Sequence, residues 1–396
     1  MHHSLQRGLS LVELMISLTV GSVITAGIVQ LFSANSDTHR VMMGQSRIQE
    51  SARFALDFIG RDIYKAGYLG CFSNTDTPVY WTAANGNNIP YEFDLRSGLD
   101  GHDASGVGLW SPNLNGLPTT IGAINTNVFV AGTGINTNNI VSGTDVLVIR
   151  NTLQQDSEIR LAQNMLTSRG DISVLVDQTR GLAALGFSQG DLAMIHDCEK
   201  ATIFHATGVT LVATPDPLTE QVDIAHSLDP TDAWRNSFLT LAQRNTFEDD
   251  ANVSAIETHI YFIAPGTGQN RSGDVPLSLW KKSGTTAPVE LVEGIENLQV
   301  LYGESTDGNG TPNRYQRANQ VVMNNVVTVR VTVIANTIDD VGGYSATSLG
   351  CSIQNCAYTL VGGALSAYND DPADANGRDG LIRRAFTQTF MLRNRS

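Results

Sequence analysis

Lysine is scarce in this chain of 396 residues, and acids outnumber bases, with 39 Asp plus Glu against 25 Lys plus Arg and a formal charge of −14. A field of that sign excludes sequence-independent nucleic-acid binding by bulk electrostatics and leaves room only for a local basic patch. No internal repeat recurs. Cysteine is limited to Cys71, Cys198, Cys351 and Cys356, an even set that an oxidising periplasm would pair, with three connectivities open. Asn, Thr, Ser and Gly are abundant, as on many bacterial extracytoplasmic surfaces. The length suffices for one large or two ordinary domains.

Charge is also missing from residues 8–32, apart from Glu13. A short leader, Met1 to Gly8 with Arg7, precedes this run. From Leu9 to Phe32 it would extend about 36 Å as a helix, enough to cross a hydrocarbon core of about 30 Å. A secretory signal has an apolar core of only about 7–15 residues followed by a small-residue cleavage site, and Phe32-Ser33-Ala34 is a poor one. A plain membrane anchor fits the length but explains neither Gly8 nor Glu13, since a carboxylate in hydrocarbon costs about 2–4 kcal/mol. The pattern Gly8-Leu9-Ser10-Leu11-Val12-Glu13 resembles the class III signal of type IV prepilins. That resemblance implies cleavage after Gly8 by a prepilin peptidase, N-methylation of Leu9, and Glu13 as the fifth mature residue. It also supplies a partner for Glu13, the α-amino group of Leu9 or of a neighbouring subunit.

Beyond Phe32 the helical signal continues. Val41, Ile48, Ala52, Ala55, Leu56, Ile59 and Ile63 recur at spacings of three, four and seven as one apolar stripe, with Arg47, Glu50, Arg53, Asp57, Arg61 and Asp62 among the polar residues filling the rest. Gly67 is placed to stop the helix. The expectation is one helix of roughly 55 residues, 9–66, whose part 9–32 spans a membrane. Strands are expected at 145–150, 172–176, 191–196, 258–264, 297–302 and 327–333. In the last of these, the alternation of valine with Thr and Arg predicts one core face and one solvent face. Residues 111–144 and 368–380 read as loops. The fold class is α+β: a leader of 1–8, the long helix, and a mostly antiparallel β-rich head over 67–396.

The head narrows the resemblance. Ala66-Gly67-Tyr68-Leu69-Gly70-Cys71 is similar to the turn that ends the helix in PilW-type minor pilins. Gly190-Asp191-Leu192 with Asp197-Cys198 resembles a further segment of that family. So do Val292 to Gly303, the loop Thr306 to Gly310, Tyr315, and the ending Leu392-Arg393-Asn394-Arg395. The resemblance implies a minor pilin that assembles with other minor pilins and the major pilin to prime pilus polymerisation and can stand at the tip. It implies residence as a single-pass protein of the inner membrane with a periplasmic head, passing into the extracellular pilus after assembly. The implied partners are those pilins, the prepilin peptidase, the inner-membrane assembly machinery and a tip adhesin, with no nucleic acid. Two alternatives remain: a minor pseudopilin of a type II secretion system, whose head is typically much smaller, and a tip adhesin or DNA-uptake subunit.

No catalytic constellation emerges. Gly186-Phe187-Ser188-Gln189-Gly190 fits the nucleophile-elbow pattern, but that motif needs a strand before Ser188 and a helix after it, and a strand follows here. His196, Cys198, Glu199 and His205 lack the convergent third and fourth ligands that zinc requires. His102-Asp103 reads as a polar loop. No cofactor is expected, and the one cation candidate is calcium at Asp307 and Asn309, in a glycine-rich turn that lacks a closing Glu. Arg383, Arg384, Arg393 and Arg395 form a basic C-terminal neighbourhood. Cys351 and Cys356 enclose four residues and can meet across a tight turn, which leaves Cys71 to pair with Cys198.

Overall fold

The computed structural model describes residues 11–70, 79–81, 94–95, 97–106, 109–114, 140–153, 159–168, 170–197, 199–214, 216, 218–227, 236, 246–283, 287–341, 359–360, 363–364 and 381–393. One helix, α1 (Leu11–Lys65), runs unbroken for 55 residues. The strands follow as β1 (Val79–Trp81), β2 (Leu99–Gly106), β3 (Leu109–Ser111), β4 (Val146–Thr152), β5 (Ile172–Asp177), β6 (Leu192–His196), β7 (Ala201–His205), β8 (Gly208–Val212) and β9 (Thr219–Ala225). Then come β10 (Asn252–Pro265), β11 (Leu277–Ser283), β12 (Val289–Glu293), β13 (Ile295–Glu304), β14 (Arg314–Gln316), β15 (Val326–Asn336), β16 (Thr359–Leu360), β17 (Gly363–Ala364) and β18 (Arg383–Met391).

The helix ends where the sequence places the stop. Gly67 takes φ +71, a left-handed conformation that glycine adopts without a Cβ penalty. Its N–H donates to the Arg150 carbonyl at 2.9 Å, so the exit turn is tied to β4. Gly98 closes against the same turn, where an added Cβ would lie 2.3 Å from the Gly67 Cα.

A nine-stranded sheet runs β1-β7-β6-β10-β4-β2-β3, with β11 and β12 continuing from the far part of β10. A four-stranded sheet runs β14-β13-β15-β18, and β5-β9-β8 form a third. All pairings are antiparallel except β1 with β7. The long strand β10 organises the head: residues 252–255 pair with β6, residues 256–261 with β4, and residues 259–265 with β11.

The second half of α1 seals the main core. Ile48, Ala52, Ala55, Ile59 and Ile63 pack with Leu298, Val300, Tyr302, Val329, Val331, Val333 and Phe390. Each fully buried aliphatic side chain contributes about 1.5–3 kcal/mol, and Ala52 and Ala55 let the helix axis come close to the sheet. Glycine sets the closest approaches. A Cβ on Gly60 would lie 2.3 Å from the Phe390 ring, and one on Gly44 would lie 2.8 Å from the Thr337 methyl.

Two expectations need correction. In β15 only Arg330 is even half-exposed, so the strand has two covered faces. It sits between β13 and β18, and its threonines find neighbours, Thr328 donating to the Tyr315 hydroxyl at 3.0 Å and Thr332 meeting Thr387 at 2.9 Å. His102 and Asp103 are not loop residues; they lie buried in β2.

Candidate assembly interface and helix–head junction

The helix is two surfaces end to end. Its apolar first part is long and apolar enough to cross a membrane, and no residue of that window is buried against the head. The hydroxyls within it are satisfied internally: Ser17 donates to the Glu13 carbonyl at 2.7 Å, Thr19 to Ile16 at 2.9 Å, Ser22 to Thr19 at 2.8 Å, and Thr25 to Gly21 at 2.8 Å. Back-bonding of this kind removes the donor that hydrocarbon would leave unpaired. Glu13 stands in the first helical turn, where the helix dipole favours a negative charge. Among the described residues nothing pairs with its carboxylate. Gly8 and Leu9, the expected processing site, lie outside the described residues, as do Cys71, Cys198, Cys351 and Cys356.

The second part carries a polar clamp that periodicity did not reveal. Asp62, read in the sequence as one of the polar residues filling out the helix, is buried on the head-facing side. Its Oδ2 accepts from His259 Nδ1 at 2.6 Å, the Tyr261 hydroxyl at 2.5 Å and Lys281 Nζ at 2.9 Å. The partners converge by strand register. His259 and Tyr261 are two apart on β10 and share a face, and Lys281 is the cross-strand partner of Tyr261 on β11. Burial by itself would raise the Asp62 pKa. The hydrogen bond and charge of His259 outweigh it, aided by Tyr261 and Lys281, and hold the carboxyl well below the usual range. Burial and the adjacent carboxylate push the Tyr261 phenol far up, so it stays a donor.

Of the C-terminal arginines, Arg383 is half-buried, whereas Arg384 and Arg393 are exposed. Arg383 makes a two-pronged pair with Glu296, at 2.6 and 3.0 Å, across β18 and β13. The Arg393 guanidinium lies 5.3 Å from the centre of the Tyr64 ring, which in turn meets Phe390 edge-on at 6.0 Å. Strand β18 and the Arg393 beyond it thus hold the last turns of the helix. Arg395 lies outside the described residues.

A second set of buried carboxylates joins the sheets. Asp145 accepts from the Ala104 N–H of β2 and the Val300 N–H of β13, both at 2.9 Å, while Asp103 accepts from the Asn319 N–H at 3.3 Å. Burial raises both pKa values, Asp103 to about 6 and Asp145 to about 7, the latter raised further by the charge of Asp103. Carboxyls raised in the folded state contribute stability that is complete below their unfolded pKa and is lost as pH rises through the folded values. The head should therefore lose on the order of 4 kcal/mol between pH 5 and 8. Asp103→Asn removes one titrating group and the like charge beside Asp145, so it should at least halve that loss. Urea unfolding at both pH values measures it, and an unchanged difference would refute the account.

The Asp307 turn, between β13 and β14, uses its oxygens locally. Asp307 accepts from Ser305 at 3.2 Å and Asn309 Nδ2 at 2.8 Å, and Asn309 Oδ1 accepts from the Thr311 N–H at 2.8 Å. No group of three His, Cys, Asp or Glu side chains gathers among the described residues. Ser188 follows a 3-10 helix, Gly181–Leu185, and precedes β6, so the strand that a nucleophile elbow requires is not in front of it.

A family model described as the prokaryotic N-terminal methylation motif matches residues 3–29. A second, described as type IV pilus-assembly protein W, matches residues 260–394, which run from within β10 through β18 and include the sheet that receives α1. The resembling segments around Gly67 and Asp191 lie outside both ranges. No match was found among curated proteins. Among solved structures, a type IV-like pilin from Thermus thermophilus aligns at 12% identity over 53% of this chain and 88% of its own, with a TM-score of 0.21. A methylation signal opening a long apolar helix, whose second half seals an antiparallel head, is similar to the organisation of type IV pilins, and the C-terminal third of the chain is similar to the type IV pilus-assembly protein W family.

Proposed function

We propose that this chain primes type IV pilus assembly together with other minor pilins and takes its place at the pilus tip. The observation that carries the reading is the division of α1 into a fully exposed apolar half and a half locked to the head. Held in the inner membrane with its head in the periplasm, the apolar half is covered by lipid. Drawn out of the bilayer, the same surface must be covered by other helices, because leaving it in water forfeits the burial that anchors it. Glu13 selects when that happens. Buried among helices, an unpaired carboxylate is strongly unfavourable, and the α-amine freed by cleavage after Gly8 offers the neutralising charge.

Two variants test this in cells. Gly8→Val should leave a full-length precursor in the membrane, because the peptidase must fit a small residue beside the cut; a mature N-terminus at Leu9 would count against it. Glu13→Ala should be cut and inserted normally yet enter sheared pili about tenfold less, the amine having lost its partner. Normal incorporation would overturn the assigned role. Deleting the gene should abolish surface pili, and labelled antibody should mark pilus ends; piliation without the chain would refute priming.

A further inference from the structure

The face of α1 turned away from the head is not uniformly polar. Phe54 is 50% exposed and Phe58 40%, although both lie in the half that docks on the head. Upstream, Met43 at 61% and Phe32 at 76% are exposed as well. At about 100° per residue, Leu14, Leu18, Phe32, Met43 and Phe54 fall within about 20° of one line, and Phe58 flanks its upper end. The head-facing Ala52, Ile59 and Ile63 lie about 180° away and Glu13 about 120° away. Phe32, Met43 and Phe54 stand eleven residues apart, a period of three turns that keeps a seam almost straight along the helix.

We propose that this seam receives the N-terminal helix of a different pilin subunit, and that Phe54 and Phe58 make the contact outside the membrane that selects it. The inference rests on the pilin reading and places the subunit contact on named residues outside the membrane, which that reading leaves open. Lipid does not reach the upper seam: with Phe32 at the membrane edge, Phe54 stands about 33 Å farther along the axis, beyond the headgroup layer. The seam is continuous with the membrane-spanning surface, so a helix lying against the lower part also lies against the upper part. Its straightness suits a second long helix and not a compact head. Exposed aromatics beside arginine form the kind of patch that dominates interface energetics. Arg61, paired with Asp57 at 2.6 Å, sits on the seam's midline, with Arg47 beside it. In a parallel pair of identical chains these arginines would each meet their own like, so the seam favours a different helix with carboxylates at those heights.

The test uses the full chain in cell membranes, with a photoreactive benzophenone side chain at position 54 or 58 and, as an off-seam control, at position 49. Positions 54 and 58 should cross-link at least about tenfold more than 49, to a different subunit whose N-terminus mass spectrometry shows to be methylated. With the benzophenone at position 43, the pair Phe54→Asp and Phe58→Asp should cut the cross-link about tenfold without moving the unfolding midpoint. Cross-links to lipid or to a second copy, or equal yields at all positions, would overturn the seam while a methylated Leu9 still upholds the pilin reading. An unprocessed N-terminus would instead overturn that reading.

Discussion

Replacing Asp62 by alanine is expected to lower stability by about 2–4 kcal/mol, because it leaves three donors without the acceptor they share. Lys281 is partly solvated, so it relaxes toward water and holds the loss below that of a fully buried pair. His259 and Tyr261 are buried and have less freedom to do so. Urea unfolding of the detergent-solubilised chain, followed by fluorescence of Trp280 beside Lys281, measures the loss. Lys281→Met in the Asp62→Ala background should restore part of it, since the ammonium no longer needs a counter-charge. Strict additivity of the two changes would show that they do not interact. The sign with pH is opposite to that of the Asp103 and Asp145 pair. A carboxyl held low in the folded state contributes stability that is complete above its unfolded pKa and is lost as pH falls through the folded value. Acid should therefore loosen the helix from the head, and Asp62→Ala should remove that acid sensitivity.

Cys71→Ser should destabilise the head more than Cys351→Ser does. The reason is chain entropy: a Cys71–Cys198 bridge closes a loop of well over a hundred residues, for which the estimate is about 4–5 kcal/mol, against a much smaller value for the short Cys351–Cys356 loop. The described neighbours favour this pairing. Gly70, at φ +95, packs against the His196 imidazole so closely that a Cβ there would lie 2.3 Å from its Cε1, and Cys71 follows Gly70 while Cys198 is two residues past His196. Such a bridge would fasten the helix exit to the β6–β7 hairpin and so fix the angle between helix and head. Non-reducing peptide mapping decides: a peptide joining Cys71 to Cys351 or Cys356 would sink the assignment.

The long helix, its end and its division into an apolar and an amphipathic half were legible because they depend on local properties, namely an uninterrupted apolar run, a stripe of period 3.6 and a glycine free to take a positive φ. The cores of β4, β5, β6 and β13 were legible for the same reason, as short apolar segments between turn residues. Asp62 was not. On periodicity it is a polar residue in a polar set, and only the register of Tyr261 opposite Lys281 makes its place on the helix a binding pocket for a carboxylate. His102 and Asp103 misled for a related reason: glycine and polar residues around them signal a loop, while pairing with β4 makes that segment a strand and buries both. In β15, alternation predicted a wet face, but flanking strands on both sides and cross-strand threonine contacts close it.

By itself, then, the sequence determined what short-range physics encodes: an acidic chain with a long apolar helix that carries a carboxylate, a methylation-type signal at its start and a β-rich head after it. The tertiary structure decided which polar residues are buried, which strands flank which, and that Phe54 and Phe58 turn away from the head. Those outcomes depend on where distant segments meet. A one-residue difference in strand register would turn Tyr261 and Lys281 away from Asp62, and no local pattern around residue 62 records that register.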